Sequence, residues 1–164
     1  MKIRIARQAD LVQIAEIYNQ AVALKSATAD LEPIEPGDRV QWLEEHVPEK
    51  YPIYVAEVDE KIVGWCSLSP YRRGRMALRY TAEISYYIHE GYRRKGIGSA
   101  LVEYAIARCE KLGIKTLFAL LLDVNVASVG LLEKFGFTKW GHMPNIADFD
   151  GRECGHLIYG LRVC

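Results

Sequence analysis

The sequence predicts an α/β fold in which one mixed sheet carries helices on its faces. Three observations support this. The chain has 164 residues, which suits one domain, and no linker, repeat or low-complexity tract divides residues 1–164. Strand-like segments alternate with helical periodicity in the order β-α-α-β-β-β-α-β-α-β-β. The run "KTLFALLLD", residues 115–123, is almost continuously apolar, the pattern of a strand covered on both faces.

Ile3 and Ile5 alternate with charged neighbours, which gives a strand over 2–6. Asp10, with Gln13 three residues on, has the form of a helix start whose carboxylate caps free backbone N–H groups. Leu11, Ile14, Ala15, Tyr18 and Val22 then share one helical face to about residue 24. Residues 25–37 are polar, end in Pro33, Pro36 and Gly37, and read as a loop. Asp38 with Gln41 repeats the cap pattern before a short helix through Trp42 and Leu43. Two strands, 53–58 and 62–68, flank a turn at Asp59-Glu60-Lys61. "RRGRM" is a polar connection, and "YTAEISYYIH", residues 80–89, is a further strand rich in β-branched and aromatic residues. After "GYRRKGIG" comes a helix with Leu101, Ala105, Cys109 and Leu112 on one face, and Gly113 suits the position past its end. The apolar run follows, then "NVASVGLLEKFGF", a short helix ending near Gly136. Two last strands are expected near 137–143 and 155–163.

Half the residues are hydrophobic, an ordinary globular composition. The 21 basic and 21 acidic side chains balance. Net charge therefore points to neither nucleic acid nor a membrane as partner, and any basic site must be local. Cys66, Cys109, Cys154 and Cys164 show no CxxC spacing, and His46, His142 and His156 are scattered, so no metal is expected. The alternating start Met1-Lys2-Ile3-Arg4-Ile5 does not resemble a signal peptide. No apolar run approaches the roughly 20 residues that span a bilayer. These features suggest a reducing cytoplasm with free thiols.

Arg93, Arg94 and Lys95 run into Gly96-Ile97-Gly98 where a helix begins. A helix N-terminus offers about four unpaired N–H groups and roughly half a positive charge. Glycine there lets the backbone approach a ligand closely. A phosphate suits such a cradle, and the cations would add charge-assisted contacts. The run lacks the G-x-x-x-x-G-K-[ST] of a P-loop, and Leu101 stands where the G-x-G-x-x-G fingerprint needs its last glycine. The spacing R-x-x-G-x-G, at Arg93, Gly96 and Gly98, does fit. Taken alone, the stretch is equally well read as a turn with a basic helix start.

The stretch does not stand alone. "IHEGYRRKGIGSALVEYAI" resembles the coenzyme-A-binding segment of the GNAT superfamily of N-acetyltransferases, and "NVASVGLLEKFGF" is similar to that superfamily's next segment. "IARQADLVQIAEIYNQAV", "RYTAEISYYIHEGYRRKGIG" and the Gly-His-Met-Pro stretch resemble its phosphinothricin acetyltransferase-like branch, which acetylates amino acids and their analogues. The likeness covers nearly the whole chain and is weakest at 25–50 and after 143. It implies a mostly antiparallel mixed sheet, acetyl-coenzyme A as cosubstrate and a small-molecule amine as acceptor. Members of the branch are often dimers, so the resemblance leaves a homodimer open. Backbone groups of Tyr86, Tyr87 and Ile88 would pair with the pantetheine arm like an added strand. The pyrophosphate would rest on Arg93, Arg94, Lys95, Gly96, Ile97 and Gly98, with Ser99 beside it. Asn125 and Ser128 would meet the cofactor from the following segment.

Acetyl transfer from a thioester needs a neutral amine, and free amines are mostly protonated at neutral pH. A carboxylate within reach removes that proton, and N–H donors hold the oxyanion. The departing thiolate, of pKa near 8.5, gains from an acid without requiring one. Glu83 is the candidate base. It lies in an apolar strand three residues before Tyr86, where burial would raise its pKa, and it matches the glutamate of the branch's T-x-E run. Without the resemblance, a solvated glutamate on an exposed strand face is the stronger reading.

The superfamily's usual tyrosine acid is replaced by Leu132. Ser128 could orient a water there, and Tyr159 is a second hydroxyl to consider. Arg72, Arg73, Arg75 and Arg79 precede the Glu83 strand. Arg75, which matches an arginine of the branch, and Arg73 are the candidates to hold an acceptor carboxylate, against the alternative of a solvated basic loop. His89 reads as a turn residue, Tyr18 and Trp42 as core, and Asn19 as a group that could reach the acceptor. Leu78 replaces a usual tyrosine, and residues 150–156 replace the pattern Gly-x-Trp-x-Asp, so the resemblance does not fix the acceptor. A peptide N-acetyltransferase of the same fold and a non-catalytic acyl-coenzyme-A sensor remain alternatives.

Overall fold

Eleven elements form in the expected order in a computed structural model that describes residues 1–164. They are β1 (Lys2–Ile5), α1 (Leu11–Leu24), α2 (Val40–Glu45), β2 (Ile53–Val58), β3 (Lys61–Pro70) and β4 (Thr81–Ile88), then α3 (Ile97–Ile106), β5 (Thr116–Leu122), α4 (Val126–Lys134), β6 (Thr138–Phe149) and β7 (Arg152–Arg162). The strands make one sheet in the order β1-β2-β3-β4-β5-β7-β6. Only β4 and β5 pair in parallel, so the sheet is mixed and mostly antiparallel.

Alternation along the strands sends side chains to two cores. Tyr54, Ala56, Cys66, Leu68 and Ile84 meet Leu101, Val102 and Ala105 of α3 and Leu132 of α4 on one face. Ile53, Val55 and Trp65 meet Ile14, Ile17 and Tyr18 of α1 on the other. Trp42 and Leu43 of α2 cover the edge of this second core. From Leu117 to Leu122, β5 is buried on both faces except at Leu120, which is 38% exposed. Leu120 borders a cleft described below, and that accounts for the break in an otherwise buried run.

Several local expectations are corrected. The Asp10 carboxylate does not cap α1. It accepts from the Arg7 N–H at 2.7 Å and pairs with both terminal nitrogens of Arg4. A guanidinium fork outcompetes the helix end for those oxygens. Asp38 likewise bonds the Glu35 N–H across a 3-10 turn at Pro36–Arg39 rather than capping α2. The last two strands are longer than expected, because Asp150 and Gly151, both at positive φ, close a hairpin that carries pairing through 149 and 152. Residues 150–156 are therefore turn and strand, with β6 bulged between Met143 and Ala147.

The β2–β3 turn places Asp59 at φ 47° and Glu60 at φ 63°. A two-residue hairpin turn of this hand requires that geometry, and a residue with a Cβ adopts it at a cost. Glu60→Gly is expected to stabilise the fold by about 1 kcal/mol, raising Tm by about 2–4 °C. A thermal melt that moves downward would contradict it.

Candidate active site

Pairing between β4 and β5 runs only from Thr81 opposite Thr116 to Glu83 opposite Phe118. Beyond that point β4 stays with β3 to Ile88, and β5 stays with β7 to Leu122. The two strands therefore part, and a cleft of about 520 Å³ opens between them. That volume falls within the range of small-molecule sites. Ile84–Ile88 form one lip and Ala119–Leu121 the other. The lip of β4 turns its unpaired backbone edge into the cleft, a ready template for an extended ligand.

The glycine loop sits at the mouth. Gly96, at φ 79°, is the residue before α3, and Arg94 has φ 60°. A Cβ on Gly98 would stand 3.1 Å from Leu131 Cδ2 of α4, so glycine keeps this approach open. No carboxylate forms an ion pair with Arg93, Arg94 or Lys95, so the positive charge of the loop is uncompensated. Cleft shape, unpaired strand edge and cationic helix start fit a long ligand with an amide-bearing arm and phosphates.

Of the residues expected to hold the cofactor, Tyr86, Tyr87, Ile88, Arg93, Arg94, Gly96, Ile97, Gly98, Ser99, Asn125 and Ser128 all line the cleft. Lys95 does not. Its Nζ donates to the Gly91 carbonyl at 3.1 Å and lies 4.8 Å from the Tyr92 ring centroid, which holds it away from the opening. The Asn125 side chain caps α4 by accepting from the Ser128 N–H at 3.2 Å. Sequence reasoning missed the opposite wall, made by Ala21, Leu24, Ser26 and Ala27. Small residues at a helix end carry no signal for this, and they reach the cleft only because α1 lies across the sheet. It also missed Lys134, whose Nζ donates to Ser99 Oγ at 3.2 Å beside the mouth.

Glu83 is not in the wall of this cleft but at its inner end, the last residue of β4 that pairs with β5. It is half-buried, has no ion-pair or hydrogen-bond partner, and burial pushes its carboxyl up. Its side chain shares a face with Tyr87 and with Ser69, its cross-strand partner on β3. Ser69 is held in turn by His46, whose Nε2 is 2.9 Å from Ser69 Oγ and whose Nδ1 is 2.6 Å from the Trp42 carbonyl. A carbonyl only accepts, so Nδ1 carries the proton and the serine hydroxyl donates to Nε2. Burial lowers the His46 pKa, which keeps this arrangement neutral near pH 7.

Arg73 and Arg75 are exposed on the β3–β4 connection, at the same end of β4 as Glu83, and neither is in the wall of the cleft. Neither makes an ion pair. Arg79 is engaged with the Met76 carbonyl and the Tyr80 hydroxyl, and Arg72 lies over the Tyr71 ring. Asn19 does not reach the site. It clamps the N–H and carbonyl of Ile34, both at 2.8 Å, and so fixes the loop after α1. The Tyr159 hydroxyl donates to Glu133 at 3.2 Å and lies outside the cleft wall. Leu132 is buried in the core and offers no proton. His89 is the turn residue expected, accepting from the Gly91 N–H.

A sheet parted beside a cationic helix start, with an unpaired carboxylate at its inner end, has the form of a coenzyme-A-dependent acyltransferase site. Residues 13–137 match the acetyltransferase (GNAT) family, and the chain belongs to it. It is 40% identical to YwnH of Bacillus subtilis (strain 168), provisionally named a phosphinothricin acetyltransferase, over 98% of each chain. It is 32% identical to the L-amino acid N-acyltransferase MnaT of Escherichia coli (strain K12), over 93% of this chain and 88% of that one. Among solved structures, a phosphinothricin acetyltransferase of Sinorhizobium meliloti in complex with acetyl-coenzyme A superposes with a TM-score of 0.92 at 28% identity, covering 98% of this chain and 87% of that one.

Proposed function

We propose that residues 1–164 form a single N-acetyltransferase domain that moves the acetyl group of acetyl-coenzyme A to the primary amine of an amino acid or amino-acid analogue. The observation that carries this is the parting of β4 from β5 beside an uncompensated cationic loop, in a chain whose relatives carry amino-acid acyltransferase names. Acetyl-coenzyme A would lie along Tyr86–Ile88, with its phosphates on the backbone of 94–98 and on Arg93. Glu83 would take the ammonium proton. The loop cations Arg73 and Arg75 would face the acceptor's carboxylate.

Incubation with acetyl-coenzyme A and a panel of free amino acids, with thiol release measured, tests the reading. Arg75→Ala is expected to raise KM for the acceptor by roughly 10-fold with little change in KM for acetyl-coenzyme A. Turnover on peptides alone would reassign the acceptor, and binding without turnover would make the protein a sensor. The four cysteines are free thiols, which suits the cytoplasm, and no helix is long and apolar enough to cross a membrane. Assembly as a homodimer is part of the proposal, to be read from sedimentation or light scattering.

A further inference from the structure

Ser69 and Glu83 stand directly opposite each other on β3 and β4. Alternation puts both on the face that carries Trp65 and Tyr87, the face that α1 and α2 cover. Residues in that relation bring their Cβ atoms to about 5 Å. Both are half-buried, so neither is sealed from a ligand. The Glu83 carboxylate has no partner, Ser69 included. The Ser69 hydroxyl has one proton and two lone pairs. His46 Nε2, 2.9 Å away, takes that proton, because Nδ1 is committed to the Trp42 carbonyl at 2.6 Å. The imidazole also packs on the Trp42 ring, with centroids 5.1 Å apart. Burial, with Arg73 and Arg39 nearby, outweighs the Trp42 carbonyl and Glu45 and keeps His46 neutral. Ser69 can therefore only accept a further hydrogen bond. Two neighbouring side chains that only accept, one of them anionic, call for a ligand rich in N–H groups.

We propose that Ser69, oriented by His46, accepts a hydrogen bond from the substrate amine beside Glu83 and so selects a primary amine. This rests on the proposed function, in which Glu83 takes the ammonium proton. An incoming ammonium has three N–H groups. One proton passes to the Glu83 carboxylate, which leaves a neutral acid and an amine with one lone pair and two N–H groups. The Ser69 oxygen accepts from one of these and holds the nitrogen while the lone pair attacks the thioester carbon. A secondary amine has only one N–H group left at that stage and must set a substituent in the second place. Ser69 touches the substrate in this arrangement. His46 is a positioning residue that acts through it.

The test is steady-state kinetics with the free amino acid that the wild-type protein turns over fastest. Ser69→Ala is expected to raise KM for the amine roughly 10-fold, with KM for acetyl-coenzyme A within about twofold. It should also narrow the preference for that amino acid over its N-methyl analogue. His46→Leu frees the serine proton and should raise the same KM about threefold, but should add nothing in the Ser69→Ala background. Ser69→Thr keeps the hydroxyl and should keep the amine KM within about threefold of wild type. An unchanged amine KM in Ser69→Ala, or a Ser69→Thr protein as impaired as Ser69→Ala, would overturn the inference and leave the proposed function standing. So would equal effects of His46→Leu in both backgrounds, the mark of a purely structural histidine. No turnover of any amine by the wild-type protein would overturn both.

Discussion

Glu83→Gln is expected to lower kcat at neutral pH by roughly 100-fold or more, with affinity for coenzyme A nearly unchanged. The amide keeps the size of the carboxyl and removes its capacity to accept a proton. Glu83 lies outside the cleft wall, so cofactor contacts should survive. A structural role predicts the opposite pattern, lost stability with kept activity. Burial raises the Glu83 pKa above its unfolded value. The contribution of such a group is fully present below the unfolded pKa and is lost as pH rises through the folded one. At neutral pH the ionised carboxylate therefore opposes folding, and Glu83→Gln should melt at the same temperature or higher. The acid limb of the pH–rate profile should lie above the ordinary carboxylate range and should vanish in the variant. Full activity in Glu83→Gln would remove this residue from the mechanism.

Asp10→Ala is expected to destabilise the fold by about 3 kcal/mol, a Tm loss of about 6–12 °C. Arg4 links three elements. It bonds both Asp10 oxygens at 2.7 and 2.9 Å and Glu57 of β2 at 2.8 Å, while Asp10 also accepts from the Arg7 N–H. The Arg4 and Asp10 side chains are only 15% and 8% exposed. Truncation leaves a nearly buried guanidinium with one carboxylate instead of two, and an amide without its acceptor. Burial pushes the Asp10 carboxyl up, but the Arg4 guanidinium and the Arg7 N–H outweigh it, so the net pKa is lowered. The sign follows from that. Stability from Asp10 is present above the unfolded value, near 3.9, and is lost as pH falls through the folded value. The gap in unfolding free energy between wild type and Asp10→Ala should therefore narrow below about pH 4. Denaturant unfolding at pH 7 and pH 3 decides this.

Much of the fold is legible because its elements are local. The 3.6 period of Leu11, Ile14, Tyr18 and Val22, and the apolar run of β5, each need only neighbouring residues to be read. The full length of the last hairpin is not legible, although Asp150-Gly151 is a turn signal. The polar edge strand β6 gives no clean alternation, and its bulge breaks what alternation there is. The two caps failed for a different reason. Asp10 and Asp38 have the right spacing, but Arg4 and the Glu35 N–H compete for their oxygens.

Local pattern makes the order of strands and helices and the cationic glycine loop legible, and only the resemblance of whole segments turns that loop into a cofactor site. Those local patterns depend on periodicity, on glycine positions and on charges close together in the chain. Tertiary structure alone decided where β4 leaves β5, and so that Glu83 stands at the inner end of the cleft rather than in its wall. It also placed α1 as the opposite wall, turned Lys95 away, and set His46 against Ser69. A hydrogen bond between elements, and a strand pair that stops, depend on residues far apart in the chain, and no local pattern records them.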